Sequence, residues 1–136
     1  MKNYLFLLFL ILTQNLFSQN TESINNNEMF NNNEEKIHEP IDVDKVPEFP
    51  NGSAKFFNYF ASNFNFKKSN ENVNGKILVS FVVEIDGKIS NIKILQDLDE
   101  MGKDAIRVMK NCSNWIPGEK NGIKVRTRTQ FPIKID

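Results

Sequence analysis

The sequence predicts a small α+β domain: a three-stranded antiparallel sheet with two helices, in the order α-β-β-α-β, over residues 46–136. Three observations predict it. Two stretches alternate apolar and polar residues on either side of Asp86-Gly87. Two others repeat apolar residues at helical spacing, and the chain closes on one long alternating run.

Val46-Pro47-Glu48-Phe49-Pro50-Asn51-Gly52 is an extended, turn-rich entry, because each residue before a proline is pushed away from helix. Ser53 is the expected N-cap of the first helix. Phe57, Phe60, Ala61 and Phe64 follow at i, i+3, i+4 and i+7, an amphipathic face that Phe56 and Tyr59 widen. Core packing is the expected use of this stripe.

From Lys76 to Glu84 the chain alternates. Ile77, Val79, Phe81 and Val83 share one face, and Leu78, Ser80, Val82 and Glu84 the other. Asp86-Gly87 then predicts a two-residue type I′ hairpin. In that register Ile85 faces Lys88, Phe81 faces Ile92 and Val79 faces Ile94, which puts both isoleucines on the Val79/Phe81 face.

Asp97 to Glu100 is acidic, as suits a helix start. Met101, Ala105, Val108, Met109 and Cys112 form the stripe of the second helix. Asn114-Trp115-Ile116-Pro117-Gly118 ends it, and Asn121-Gly122 makes another turn. Lys124 to Ile135 is a strand with Val125, Thr127, Thr129, Phe131, Ile133 and Ile135 on one face and Arg126, Arg128, Gln130 and Lys134 on the other. Pro132 removes one ladder donor, so this strand is expected at an edge, at least locally. Its basic row of Lys124, Arg126 and Arg128 suits either a solvated, guarded edge or a strand that binds a peptide or an acid.

Composition excludes most catalysis. The chain of 136 residues has one cysteine and one histidine, so disulfide frameworks and Cys- or His-rich metal sites are out, and a histidine-based triad has no basis. There is no Gly-rich phosphate loop. The acids Asp97, Asp99, Glu100 and Asp104 lack calcium-loop spacing. Cys112 lies on an apolar stripe with no histidine in its domain to activate it. We therefore expect no enzyme, no metal and no cofactor. Net charge is zero, which argues against a nucleic-acid binder acting through bulk charge. The zero is a balance: residues 20–50 carry −6 and residues 51–136 carry +5.

Lys2 followed by the apolar run Tyr4–Leu12 has the layout of a secretory signal over residues 1–18, with a cut expected before Gln19. The run is far short of the ~20 residues that span a bilayer. An uncleaved signal anchor is the alternative. Residues 19–45 are rich in Asn and Glu without apolar period, which predicts a disordered acidic linker.

The run Val46–Gly52, then Gly75–Val83, then Asp86-Gly87-Lys88-Ile89-Ser90-Asn91-Ile92, then Ala105, then Trp115-Ile116-Pro117-Gly118 with Asn121-Gly122, resembles the TonB C-terminal domain family in the form found in Bacteroidetes. Phe49, Pro50, Gly52, Gly75, Asp86, Gly87, Trp115, Pro117 and Gly118 are the motif positions. The resemblance implies a non-enzymatic periplasmic domain that pairs with a short segment, the TonB box, of outer-membrane TonB-dependent receptors. That segment adds as a strand, supporting energised nutrient transport. By resemblance the docking edge is Arg126, Thr127, Arg128, Thr129, Gln130 and Phe131. A retained N-terminus would add an inner-membrane proton-motive-force motor to the partners. The family often has Tyr-Pro after the first helix, where this chain has Phe66-Lys67. The other reading is a secreted or envelope adaptor that keeps the fold without transporter coupling.

Overall fold

The computed structural model describes residues 36–66 and 74–135. The expected export signal, and the expected linker as far as residue 35, lie outside the described residues. In chain order the elements are β1 (Ile37–His38), a 3₁₀ turn (Pro40–Asp42), α1 (Ser53–Asn63), β2 (Gly75–Val83), β3 (Ile89–Gln96), α2 (Gly102–Lys110), β4 (Gly118–Lys120) and β5 (Ile123–Ile135).

The α+β class and the two helices stand as expected. The sheet is a correction: it is mixed, in the order β1-β5-β2-β3, with β4 pairing β5 off that path. The three long strands supply the antiparallel part, and β1 joins parallel to β5. β1 is two residues long and β4 three. Alternation cannot show in runs that short, so neighbours rather than their own pattern make them strands. The expected boundary at residue 46 also moves. Residues 36–45 belong to the described fold: Ile37 and His38 pair with Arg126 and Thr127, and Asp44 and Lys45 donate backbone N–H bonds to Glu119 O at 2.8 and 3.1 Å.

The last strand is an edge only in part. β5 pairs β2 without interruption from Thr127 to Ile135 on one side. On the other it pairs β4 at Ile123–Val125 and β1 at Arg126–Thr127. Beyond Thr127 no strand among the described residues pairs that outer side, and Pro132 falls there.

The hairpin turns differ from expectation. Asp86-Gly87 is not a type I′ turn, because only Gly87 has positive φ, at 84°. Glu84 N–H donates to Lys88 O, closing a three-residue loop in which Asp86 Oδ1 accepts from Lys88 N–H at 3.0 Å. The type I′ pair is Asn121-Gly122, with φ 52° and 75°, between β4 and β5. The longer first loop shifts the register, so Val83 pairs with Ile89. Two extra residues on β3 absorb the shifts. One lies between Ser90 and Lys93, where Asn91 has φ 49°, and the other is Leu95, between Ile94 and Gln96. Val79 therefore still faces Ile94 as expected. The bulge explains how Ile89, Ile92 and Ile94, spaced three and then two apart, all pack on the core.

Phe56 and Phe60 of α1 and Phe64 at its C-cap form the buried stripe; Phe57 is 49 % exposed and Ala61 is exposed. Ser53 opens the helix but caps nothing, since Gly52 stands at the N-cap. Of the expected α2 stripe Met101, Ala105, Val108 and Met109 are buried, while Cys112 falls past the helix end at Lys110 and is half-buried against the core. Its acidic start caps through Asp97, whose Oδ1 accepts from Gly102 N–H at 2.8 Å. Both helices pack on the face carrying Ile77, Val79, Phe81 and Val83, all fully buried. Trp115 joins the layers, with ring centroids 5.5 Å from Phe49, 5.0 Å from Phe56 and 5.1 Å from Phe81. Tyr59 ties the helices together by donating its hydroxyl to Val108 O at 2.9 Å.

Candidate strand-docking site

The alternation of β5 sends Val125, Thr127, Phe131, Ile133 and Ile135 toward the core and Arg126, Arg128, Gln130 and Lys134 to the other face. A regular strand with one unpaired side presents a row of backbone donors and acceptors there. From Arg128 to Ile133 this row meets no other strand among the described residues. A groove of about 340 Å³ opens beside it, between Glu39-Pro40, Val46-Pro47 and Arg128-Thr129-Gln130.

Polar atoms gather at this edge without hydrogen-bond partners. Thr129 Oγ1, Arg128 Nε and both ring nitrogens of His38 are buried and make none; Trp115 Nε1, in the core, is the other such atom among the described residues. Arg128 Nε does lie 3.0 Å from Glu39 Oε1, as an ion pair whose angle is too poor for a hydrogen bond.

The six residues expected to dock a partner divide into two groups. Arg126 and Thr127 are covered by β1. The Arg126 guanidinium holds Glu84 across the sheet at 2.6 and 3.0 Å, and the Ser90 hydroxyl donates to the same carboxylate. These contacts, the Arg126 hydrogen bond first, hold the Glu84 carboxyl below its ordinary 4.5. Thr127 is fully buried and donates its hydroxyl to Val125 O. Arg128, Thr129, Gln130 and Phe131 line the unpaired stretch. The Phe131 ring stands 4.4 Å from Phe56 and 4.8 Å from Phe57, so half-exposed Phe57 extends an apolar shelf beside the edge.

The motif residues set the frame around this edge. Phe49 stacks in the Trp115 cluster, and Gly52 N–H closes the Phe49–Gly52 turn at 2.8 Å. Pro50 is half-buried in that turn. Gly75 opens β2 against Leu98, where a side-chain carbon would come within 3.0 Å. Gly118 lies so close to Thr127 that a methyl group there would fall 2.3 Å from its hydroxyl oxygen. Pro117 is half-buried just before it.

His38, Glu39 and Phe57 were not singled out as site residues by sequence reasoning. For Glu39 a signal existed: the acidic arm and the basic domain carry opposite charge, and Glu39 meets Arg128 where they touch. For Phe57 none existed, since a phenylalanine on an apolar stripe reads as core.

The geometry is that of a small α+β domain whose sheet, among the described residues, leaves the outer side of β3 and the later part of β5 without a neighbouring strand. Residues 68–134 match the family model of the Gram-negative bacterial TonB protein C-terminal, and this stretch of the chain belongs to the TonB C-terminal domain family. Domains of that family are non-catalytic and interact with outer-membrane TonB-dependent receptors, which makes the family one of the cell envelope. No curated protein and no solved structure matches the chain. Among the described residues no helix is long and apolar enough to cross a membrane.

Proposed function

We propose that this chain is an exported periplasmic binding domain that pairs a segment of an outer-membrane TonB-dependent receptor against β5 and so supports energised nutrient uptake. The observation that carries the reading is the open edge at Arg128–Ile133, with the Thr129 hydroxyl buried beside it without a hydrogen-bond partner. Backbone pairing would supply affinity, and the Phe57/Phe131 shelf and Arg128 would choose side chains. Residues 1–18 act in this reading as the export signal and residues 19–35 as a linker. An N-terminus at Gln19 in the envelope fraction, found by mass spectrometry, would make the domain a free periplasmic protein. A retained Met1 in the inner membrane would instead put the motor within reach.

The direct test titrates the isotope-labelled full chain with synthetic peptides copied from the N-terminal segments of such receptors. Amide shifts confined to Arg128–Phe131 and the shelf are expected. No shift with any receptor segment, or shifts along β3 instead, overturns the reading in favour of an adaptor domain without transporter coupling.

A further inference from the structure

β1 occupies the start of the edge just described, and it is this chain's own N-terminal segment. We propose that residues 36–39 form a displaceable strap that competes in cis for β5, and that protonation of His38 releases it. The competitive role rests on the docking reading above; the release does not.

Three observations carry the inference. First, the strap adds to β5 as an incoming strand would, through two residue pairs, Ile37 with Arg126 and His38 with Thr127, followed by the Glu39–Arg128 ion pair. Two pairs and one half-exposed ion pair make a small opening unit, of the kind that opens locally at low cost. Second, the segment is anchored just beyond. The 3₁₀ turn, closed by Asp42 N–H to Glu39 O at 2.9 Å, separates it from Asp44 and Lys45, which are bonded to Glu119. The strap can thus lift while the rest of the entry segment stays in place. Its departure would lengthen the open edge from Arg128–Ile133 to Arg126–Ile133 and free Arg128 from Glu39.

Third, His38 is the one residue of the strap that is buried, at 3 % exposure, on the same face as Thr127. Neither ring nitrogen has a hydrogen-bond partner, so the site has nothing to accept from an imidazolium. The charges around it do not welcome a cation. Lys36, just before β1, and Lys120 on β4 oppose one, and Asp42 in the 3₁₀ turn is the single acid acting on it. On β5 the level residue Thr127 is uncharged, while Arg126 and Arg128 lie on the opposite face, against Glu84 and Glu39. Burial first, and the two lysines next, hold the His38 imidazole below its ordinary 6.5. The contribution of His38 to strap closure is therefore complete above about 6.5 and is eroded as the pH falls below it.

Hydrogen exchange on the full chain, with no receptor segment present, tests this. Protection factors, corrected for the intrinsic pH dependence of exchange, are compared at pH 7.5 and 5.5. Protection at Ile37–Glu39 and Arg126–Arg128 should fall several-fold, with a ceiling of about tenfold set by an imidazole of ordinary affinity in the released strap. Amides of Ile77–Val83 should keep theirs. His38→Phe should bring the ratio between the two pH values to one. Glu39→Gln should lower protection at both pH values and keep the ratio. The His38 ring signals in the unmutated protein supply a readout that needs no variant: they should titrate below 6.5. Unchanged protection in the wild type, the same loss in His38→Phe, or ring signals titrating at or above 6.5 would each overturn the strap as a proton-released device. None of these results bears on whether receptor segments bind.

Discussion

The two edges of the sheet are built on opposite plans. The outer side of β5 is regular, with nine unbroken residue pairs to β2 keeping it straight from Thr127 to Ile135. β3, at the other end of the sheet, carries two extra residues in eight and a lysine, Lys93, between them. Bulges twist and bend a strand, and an inserted charge discourages a neighbour, so β3 is a guarded edge. β5 is left straight, and its exposed start is covered by the chain's own strap. The difference shows that an open strand edge is not by itself a docking site. On the proposed reading, regularity suits one edge to pairing, and irregularity discourages it at the other.

The largest effect should come from the support the two edges share. Gly87 ends the β2–β3 loop at φ 84°, and Trp115 N–H donates to its carbonyl at 2.8 Å. Trp115 in turn leads into β4 beside β5. A methyl group on Gly87 would fall 2.2 Å from Trp115 O, so Gly87→Ala must both strain the backbone and push this contact apart. A loss of roughly 2–4 kcal/mol is expected in denaturant unfolding. Because the Trp115 loop links both sides of the sheet, protection should drop along β3 and β4 together. A loss confined to β3 would show that the edges are supported separately.

A smaller effect falls on the β5 side alone. Glu84→Gln leaves the Arg126 guanidinium with a weaker acceptor, at a cost of about 1–3 kcal/mol, since both side chains are mostly buried. Glu84 is held below its ordinary 4.5, so its contribution is complete above that value and is lost progressively as the pH falls below it. The acid limb of the stability profile should flatten in Glu84→Gln. That window lies below the His38 window, so the two variants separate the sheet's own latch from the strap's.

Most of this frame was legible in the sequence, for a physical reason. Long strands and helices bury enough side chains for their period to show, as in Ile77–Val83 and in the Met101–Met109 stripe. What was hidden is short or compensated. β1 and β4 have no period of their own. The β3 hairpin concealed an error: a three-residue loop displaces the register, the extra residue near Asn91 restores it, and the Val79–Ile94 pairing comes out the same by either route. In the site, the unpaired reach Arg128–Phe131 lay within the expected stretch, because Pro132 and alternation announce an edge. The covering of Arg126 and Thr127 did not, because it is made by a segment whose composition reads as linker. Phe57 was assigned to the core because helical spacing cannot tell which side of a wide phenylalanine stripe turns outward.

The smallest change in stability, and the sharpest test of the comparison, comes from deleting Asn91 and Leu95 together. Each deletion removes one extra residue, so Ile89, Ile92 and Ile94 become regularly alternating and keep their inward face, opposite Val83, Phe81 and Val79. The core contacts should therefore survive. Losing Asn91 also removes a positive-φ residue from the strand, which offsets part of the repacking. Unfolding stability should change by about 1 kcal/mol or less. The edge, however, would become straight over its length, with Lys93 as its remaining guard. If bulges are what close β3 to partners, the deletion variant should self-associate as its concentration rises, seen in sedimentation, while the unaltered chain under the same conditions associates less. If the variant behaves as the parent does, straightness is not the property that separates the two edges. The Thr129 hydroxyl without a hydrogen-bond partner would then carry the distinction alone.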